Sequence, residues 1–183
     1  MARHPMQPEW NFHYPRWVIE DGQPNRHLGE MFTWPEIEFS AKLVKVHEQP
    51  RSAIPVGDYL YRVVAEVTYL SEQSCVVDFG IKATSFSTSL TAGCKEGDYV
   101  TGDMALYQSL NGIVLPDETW KTLKYRWRIN RIYADRTPYL PHPDDPRHLI
   151  RDDSHSRYEA VSSTDSLHTH TYILNCSEMP TLG

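Results

Sequence analysis

The stretch Leu123, Lys124, Tyr125, Arg126, Trp127, Arg128, Ile129 alternates between apolar and basic residues without a break. Successive side chains of an extended strand take opposite faces, so Leu123, Tyr125, Trp127 and Ile129 share one face and Lys124, Arg126 and Arg128 the other. This pattern predicts a half-buried strand with a basic stripe on its solvent side. Between Lys121 and Arg131 there are five basic residues and no acidic one, in a chain with 18 Lys+Arg against 24 Asp+Glu. Positive charge is therefore concentrated here, and a break in parity is expected at Asn130 and Arg131.

Working outward, the same period recurs. Tyr61, Val63, Ala65, Val67 and Tyr69 oppose Arg62, Val64, Glu66 and Thr68, which predicts a long strand over 59–70, and 75–81 reads as another after a polar connection. In 37–47 the parity changes, with Ile37, Phe39, Ala41 and Leu43 on one face and Val44 and Val46 on the other, so a bulge or sharp coil is expected near Leu43. Phe86 and Leu90 suit a short helical turn. Gly102 interrupts the strand pattern of 96–107 and predicts a bulge or a close backbone approach. A short strand is expected over 112–115, and strands return over 158–162 and 169–176. The fold class is accordingly all-β and mainly antiparallel, a barrel or sandwich.

The expected organisation has four parts. Residues 1–36 form an aromatic arm with Trp10, Phe12 and Tyr14 in alternation, followed by Trp17; 37–134 form the β core; 135–156 form a Pro/Asp/His-rich loop; and 157–183 add strands. The arm is expected to pack on the domain as a lid, with a partner-binding role for Trp10, Tyr14 and Trp17 as the alternative. A formal net charge of −6 and a pI near 5.8 disfavour bulk attraction to nucleic acid or anionic membrane. Cys75, Cys94 and Cys176 form no C-x-x-C pair. With no long apolar run and no apolar signal-like segment near Met1, the expected location is the cytoplasm.

The order of these elements, a bent first strand, a long second, a third, a helical turn, the glycine-punctuated strand with Gly97, Asp98, Val100 and Gly102, and a long fifth strand, resembles an OB-fold over about residues 36–134. That resemblance implies a small barrel, to which this chain adds an N-terminal arm and, as a departure from the pattern, a long C-terminal strand extension. It implies no particular activity, because such barrels host many.

Three chemistries suit the residues of this chain. The stripe of Lys124, Arg126, Arg128 and Arg131 suits a contact with an acidic protein, and single-stranded nucleic acid is the alternative ligand, although the aromatic residues of this strand face the core. His168 and His170 stand two apart and are candidate metal ligands, with the loop's Asp and His residues able to supply more. An active site assembled from Asp78, Asp103 and a histidine would need residues far apart in sequence, and no nucleophile or phosphate-loop motif is present. The first expectation is a non-enzymatic cytoplasmic protein-binding protein of inhibitor, immunity or accessory type, with no cofactor and no membrane contact. A nucleic-acid-binding module, and a small enzyme or metalloprotein using the His/Asp-rich C-terminal region, follow it.

Overall fold

The computed structural model describes residues 8–34, 37–108, 114–145, 147–166 and 168–180, without the side chains of Trp34 and Gln108. In chain order the elements are β1 (Glu9–Pro15), the helical turn α1 (Arg16–Glu20), β2 (Met31–Trp34), β3 (Ile37–Ser40), β4 (Val44–Val46) and β5 (Ser52–Pro55). They continue with β6 (Leu60–Leu70), β7 (Ser74–Asp78), β8 (Lys82–Phe86), β9 (Tyr99–Gln108), α2 (Asp117–Lys121) and β10 (Tyr125–Asp135). The last strands are β11 (Tyr139–Pro141), β12 (Leu149–Arg151), β13 (Tyr158–Val161) and β14 (Thr171–Met179). The molecule is all-β, as its alternating patterns require.

Five strands close a barrel in the order β3, β9, β6, β7, β8 and back to β3. Every neighbouring pair is antiparallel except the seam between β3 and β8, where Glu38 pairs with Thr84 in parallel. Tyr61, Val63, Ala65 and Val67 of β6 are buried, as their parity predicts. The break expected near Leu43 is present, although burial stays with Ile37, Phe39 and Leu43 and Val44 is exposed. The chain leaves the sheet between β3 and β4, and the buried Leu43 is held there by hydrogen bonds to Ser89 and from Thr91. Gly102 marks a close approach, since a Cβ there would lie 2.9 Å from both the Lys42 carbonyl and the Leu43 side chain.

Strands β1, β14, β10, β2 and β13 form a wing that grows from the end of β9, while β4 and β5 pair with β9 and β6 of the barrel and β11 and β12 form a hairpin of their own. Strand β1 touches β9 in parallel at His13 and Tyr107, then runs antiparallel along β14 for its whole length. On the far side of β14 lies β10, whose outer edge carries β2 and β13. Barrel and wing share one core. Trp10 packs on Tyr61 at 5.3 Å and on Phe79 at 5.6 Å, and Phe12 meets Trp127 edge-on at 5.1 Å.

Several expectations are corrected. The aromatic segment is not a lid but strand β1, because Trp10, Phe12 and Tyr14 fill the interior. The strand at 123–134 is not the fifth barrel strand. That place is taken by β8, which reads poorly as a strand because Ala83, Thr84 and Ser85 are buried without alternation. The chain reverses into it where Gly80, at φ +119°, donates its N–H to Asp78. The expected helical turn is a single 3-10 turn over Ser87–Ser89. The loop at 135–156 contains the β11–β12 hairpin and a 3-10 turn at Asp153–His155, so it is partly regular. Val114 and Leu115 are not in a strand, and the rest of the strand expected at 112–115 lies outside the described residues, as do Met1, Pro35, Glu36 and Pro146. Among the described residues, no helix is long and apolar enough to cross a membrane.

Candidate functional site

The wing has an outward face whose rows follow from strand register. With Trp127 and Ile129 directed into the core, Arg126 and Arg128 point out. Across β10 the register shifts, because Ile129 pairs with Cys176 and Arg131 with Asn175, leaving Asn130 as the extra residue. A bulge of one residue flips the parity that follows it. This bulge puts Arg131, Tyr133 and Asp135 on the same face as Arg126 and Arg128, where unbroken alternation would have turned Arg131 inward.

The rows then read as follows. Arg126 lies between Thr33 and Met179, and Arg128 lies between Met31 and Ser177, with Glu9 beyond Ser177. Arg131 is followed by Asn175 and Asn11, and Tyr133 by Ile173 and His13. Asp135 lies beside Tyr158.

At one end of this face the cations stand free. Among the described residues, Lys124, Arg128 and Arg131 are exposed and hold no ion pair, and Arg126 makes only a 3.5 Å hydrogen bond to the Pro180 carbonyl. Elsewhere the described arginines hold a carboxylate, Arg157 excepted. Glu9, the acid nearest in register to Arg128, is engaged by Asn130 instead. Cations on alternate residues of one strand sit about 6.8 Å apart, so each neighbouring pair costs roughly 0.6 kcal/mol of repulsion at the dielectric of water. The fold tolerates that cost, and among the described residues no carboxylate is paired with these cations to offset it.

At the other end the face is walled. Tyr133, Ile173 and Asn11 form the floor of a pocket of about 180 Å³, and Asp58 and Tyr158 form its wall. The wall is held by the Arg151 guanidinium, which donates to Asp135 at 2.9 Å, to the Thr137 hydroxyl at 3.0 Å and to the Tyr158 hydroxyl at 2.6 Å, and also pairs with Asp153. Tyr158 in turn donates to Asp58 at 2.5 Å. Burial opposes ionisation of Asp135, yet the hydrogen bonds from Thr137 and Arg151 outweigh it and keep its pKa below the usual carboxylate value. Burial, and then the Asp58 carboxylate, push the Tyr158 pKa up, so the phenol keeps its proton.

Beside the pocket, His13 stacks on Tyr59 at 4.5 Å. Burial drives its pKa down to about 4, with Asp135 raising it and Arg151 lowering it, so the ring is neutral at pH 7. On the floor, the Asn175 amide donates to Asn11 at 2.8 Å, and Asn11 donates to the Asp58 carbonyl at 2.6 Å.

The other expected site residues fall elsewhere. Trp10 and Tyr14 are interior and offer no surface, whereas Trp17 on α1 is 53% exposed. His168 and His170 are both exposed, and among the described residues no group of three or more His, Cys, Asp or Glu converges as for a metal ion. Asp78 is paired with Arg51 and Asp103 with Arg62, so these two carboxylates serve separate ion pairs. Burial pushes the Cys75 thiol up to about 12 and raises that of Cys176, which leaves neither as a thiolate nucleophile.

The pocket residues were not read from the sequence, because Asn11, Asp58, Tyr133, Tyr158 and Ile173 come from five separate segments. The one available signal was the expected parity break, which implies that Tyr133 shares the face of Arg131. In comparison with known proteins, no family model, no curated protein and no solved structure matches the chain.

Proposed function

We propose that this protein is a non-enzymatic, cytoplasmic binding module that docks an acidic protein partner on the outward face of its wing. One observation carries this reading: Arg126, Arg128 and Arg131 stand along one face and, among the described residues, none of them is paired with a carboxylate, in a molecule of net charge −6. Unpaired cations arranged this way steer an acidic partner to the face and fix its register, while the negative remainder repels it elsewhere.

Single-stranded nucleic acid is the second reading, favoured by the Tyr133 and Tyr158 rings at the far end of the face. It ranks below the first because Thr33, Met31, Ser177 and Met179 flank the arginines, and none of them offers a ring on which a base can stack.

The test is affinity capture from the native cell, with protein and nucleic-acid detection on one eluate, followed by association kinetics with whatever is captured. Arg126→Glu with Arg128→Glu is expected to leave the fold intact, since exposed charges contribute little to stability. It is also expected to slow association and flatten its salt dependence. An unchanged rate and affinity for a captured acidic protein would sink the proposal.

A further inference from the structure

We infer that the partner presents an extended acidic segment, and that this segment ends in one aliphatic or aromatic side chain which enters the pocket between Tyr133 and Tyr158. The inference rests on the proposed docking of an acidic partner and names the part of that partner which the face recognises.

Three features lead to it. First, the cations repeat with the strand period of about 6.8 Å for every second residue, which matches acidic side chains on alternate positions of an extended peptide lying along β10. A helix would place its carboxylates on a different period. The bulge at Asn130 keeps the row unbroken to Arg131, one outward position from Tyr133.

Second, the pocket is sized for one side chain. Its volume of about 180 Å³ falls below the roughly 300 Å³ at which pockets for drug-sized ligands begin. Most of its polar groups are already engaged: the Tyr158 hydroxyl serves Asp58 and Arg151, and the Asn11 amide serves the Asp58 carbonyl and Asn175, while among the described residues the Tyr133 hydroxyl and one Asp58 carboxylate oxygen hold no hydrogen bond. What remains for an occupant is chiefly the ring surface of two tyrosines and the side chain of Ile173, with the Tyr133 hydroxyl at its margin.

Third, charge orders the two halves of the ligand. Asp58 on the pocket wall repels a carboxylate or phosphate, so the anionic part belongs over the arginines and the neutral part in the pocket. The wall does not need to form on binding, because Arg151 already clamps β12 to Asp135 and Tyr158. A preformed pocket lowers the ordering cost of association.

The experiment uses the full chain and fluorescent eight-residue peptides of alternating Glu and Ser, carrying Leu, Phe or Ala at one terminus or the other. Oligothymidylate and oligouridylate of the same length are run alongside. The expected result is that a Leu or Phe peptide of one polarity binds about tenfold or more tighter than its Ala counterpart. That gain is expected to vanish in Ile173→Phe, which fills the pocket, and in Tyr133→Ala, which removes half of its ring surface and serves if Ile173→Phe does not fold. Arg128→Glu with Arg131→Glu is expected to weaken all the peptides alike.

Equal binding of Leu, Phe and Ala peptides, all lost on charge reversal, overturns this inference and leaves the docking of an acidic partner standing. Peptide binding that is indifferent to charge reversal overturns the docking itself. Oligonucleotide binding tighter than that of every peptide overturns both.

Discussion

His13 shows how one residue couples the face to pH. The ring lies in the same row as Ile173 and Tyr133, is stacked on Tyr59, and has its pKa lowered by burial from 6.5 to about 4. The unfolded chain therefore takes up a proton on this histidine before the folded one does. Stability from this source is complete above about pH 6.5, falls as the pH drops through the window, and levels off near pH 4 once the folded ring is protonated as well. At 1.36 kcal/mol per unit, the loss is on the order of 3 kcal/mol. Glu178, whose carboxyl is pushed up by burial, acts in the opposite sense over part of this window. The informative measurement is thus the difference between the wild type and His13→Phe, which retains a ring against Tyr59. Urea denaturation from pH 7 to 4 is expected to show a shallower decline for the variant. Parallel curves would mean that the folded protein accepts the proton at His13 without cost.

At the level of elements, periodicity was legible and closure was not. Strands β6 and β10 could be read because one face of each is buried and the other is wet, and that asymmetry writes itself into alternation. The same reasoning located the break at Leu43 and the bulge at Asn130, and with the bulge the outward placement of Arg131. It missed β8, where Ala83, Thr84 and Ser85 are all buried, and it misjudged β1, whose aromatic alternation was correct while its place in the sheet was not. Pairing between distant strands leaves no periodic mark, and so the pocket, built from separate segments, left none either. Gly102 was legible for a steric reason that can be tested. The backbone of β9 passes so close to Lys42 and Leu43 that a Cβ would sit 2.9 Å from a carbonyl oxygen. The Lys42 carbonyl is backbone, so relief requires β9 to shift against the coil between β3 and β4. Gly102→Ala is expected to destabilise the protein by about 1–3 kcal/mol in chemical denaturation, the usual cost of forcing an extra methyl into a packed site. A neutral result would show that this coil gives way freely.

Over the whole molecule, the outward face of the wing is only as rigid as the connection between wing and barrel, and several contacts contribute to that connection. Trp10 of β1 packs on Tyr61 and Phe79 from the barrel side, His13 bridges to Tyr107 of β9, and the Tyr125 hydroxyl of β10 accepts a 2.7 Å hydrogen bond from the Lys82 backbone N–H of β8. Because these ties flank a single buried cluster that runs through both parts, barrel and wing are expected to unfold as one cooperative unit. The cysteines are natural reporters. Cys75 lies in β7 of the barrel and Cys176 in β14 of the wing, both fully buried, while Cys94 is half-buried and serves as the fast-labelling control. Thiol labelling at increasing denaturant is expected to give Cys75 and Cys176 the same opening free energy, equal to that of global unfolding, and the same denaturant slope. Labelling of Cys176 at lower denaturant with a shallower slope would show instead that the wing opens alone. The row of arginines and the Tyr133–Tyr158 pocket would then sit on a unit that frays from the barrel, and any partner bound there would stabilise the wing more than the barrel.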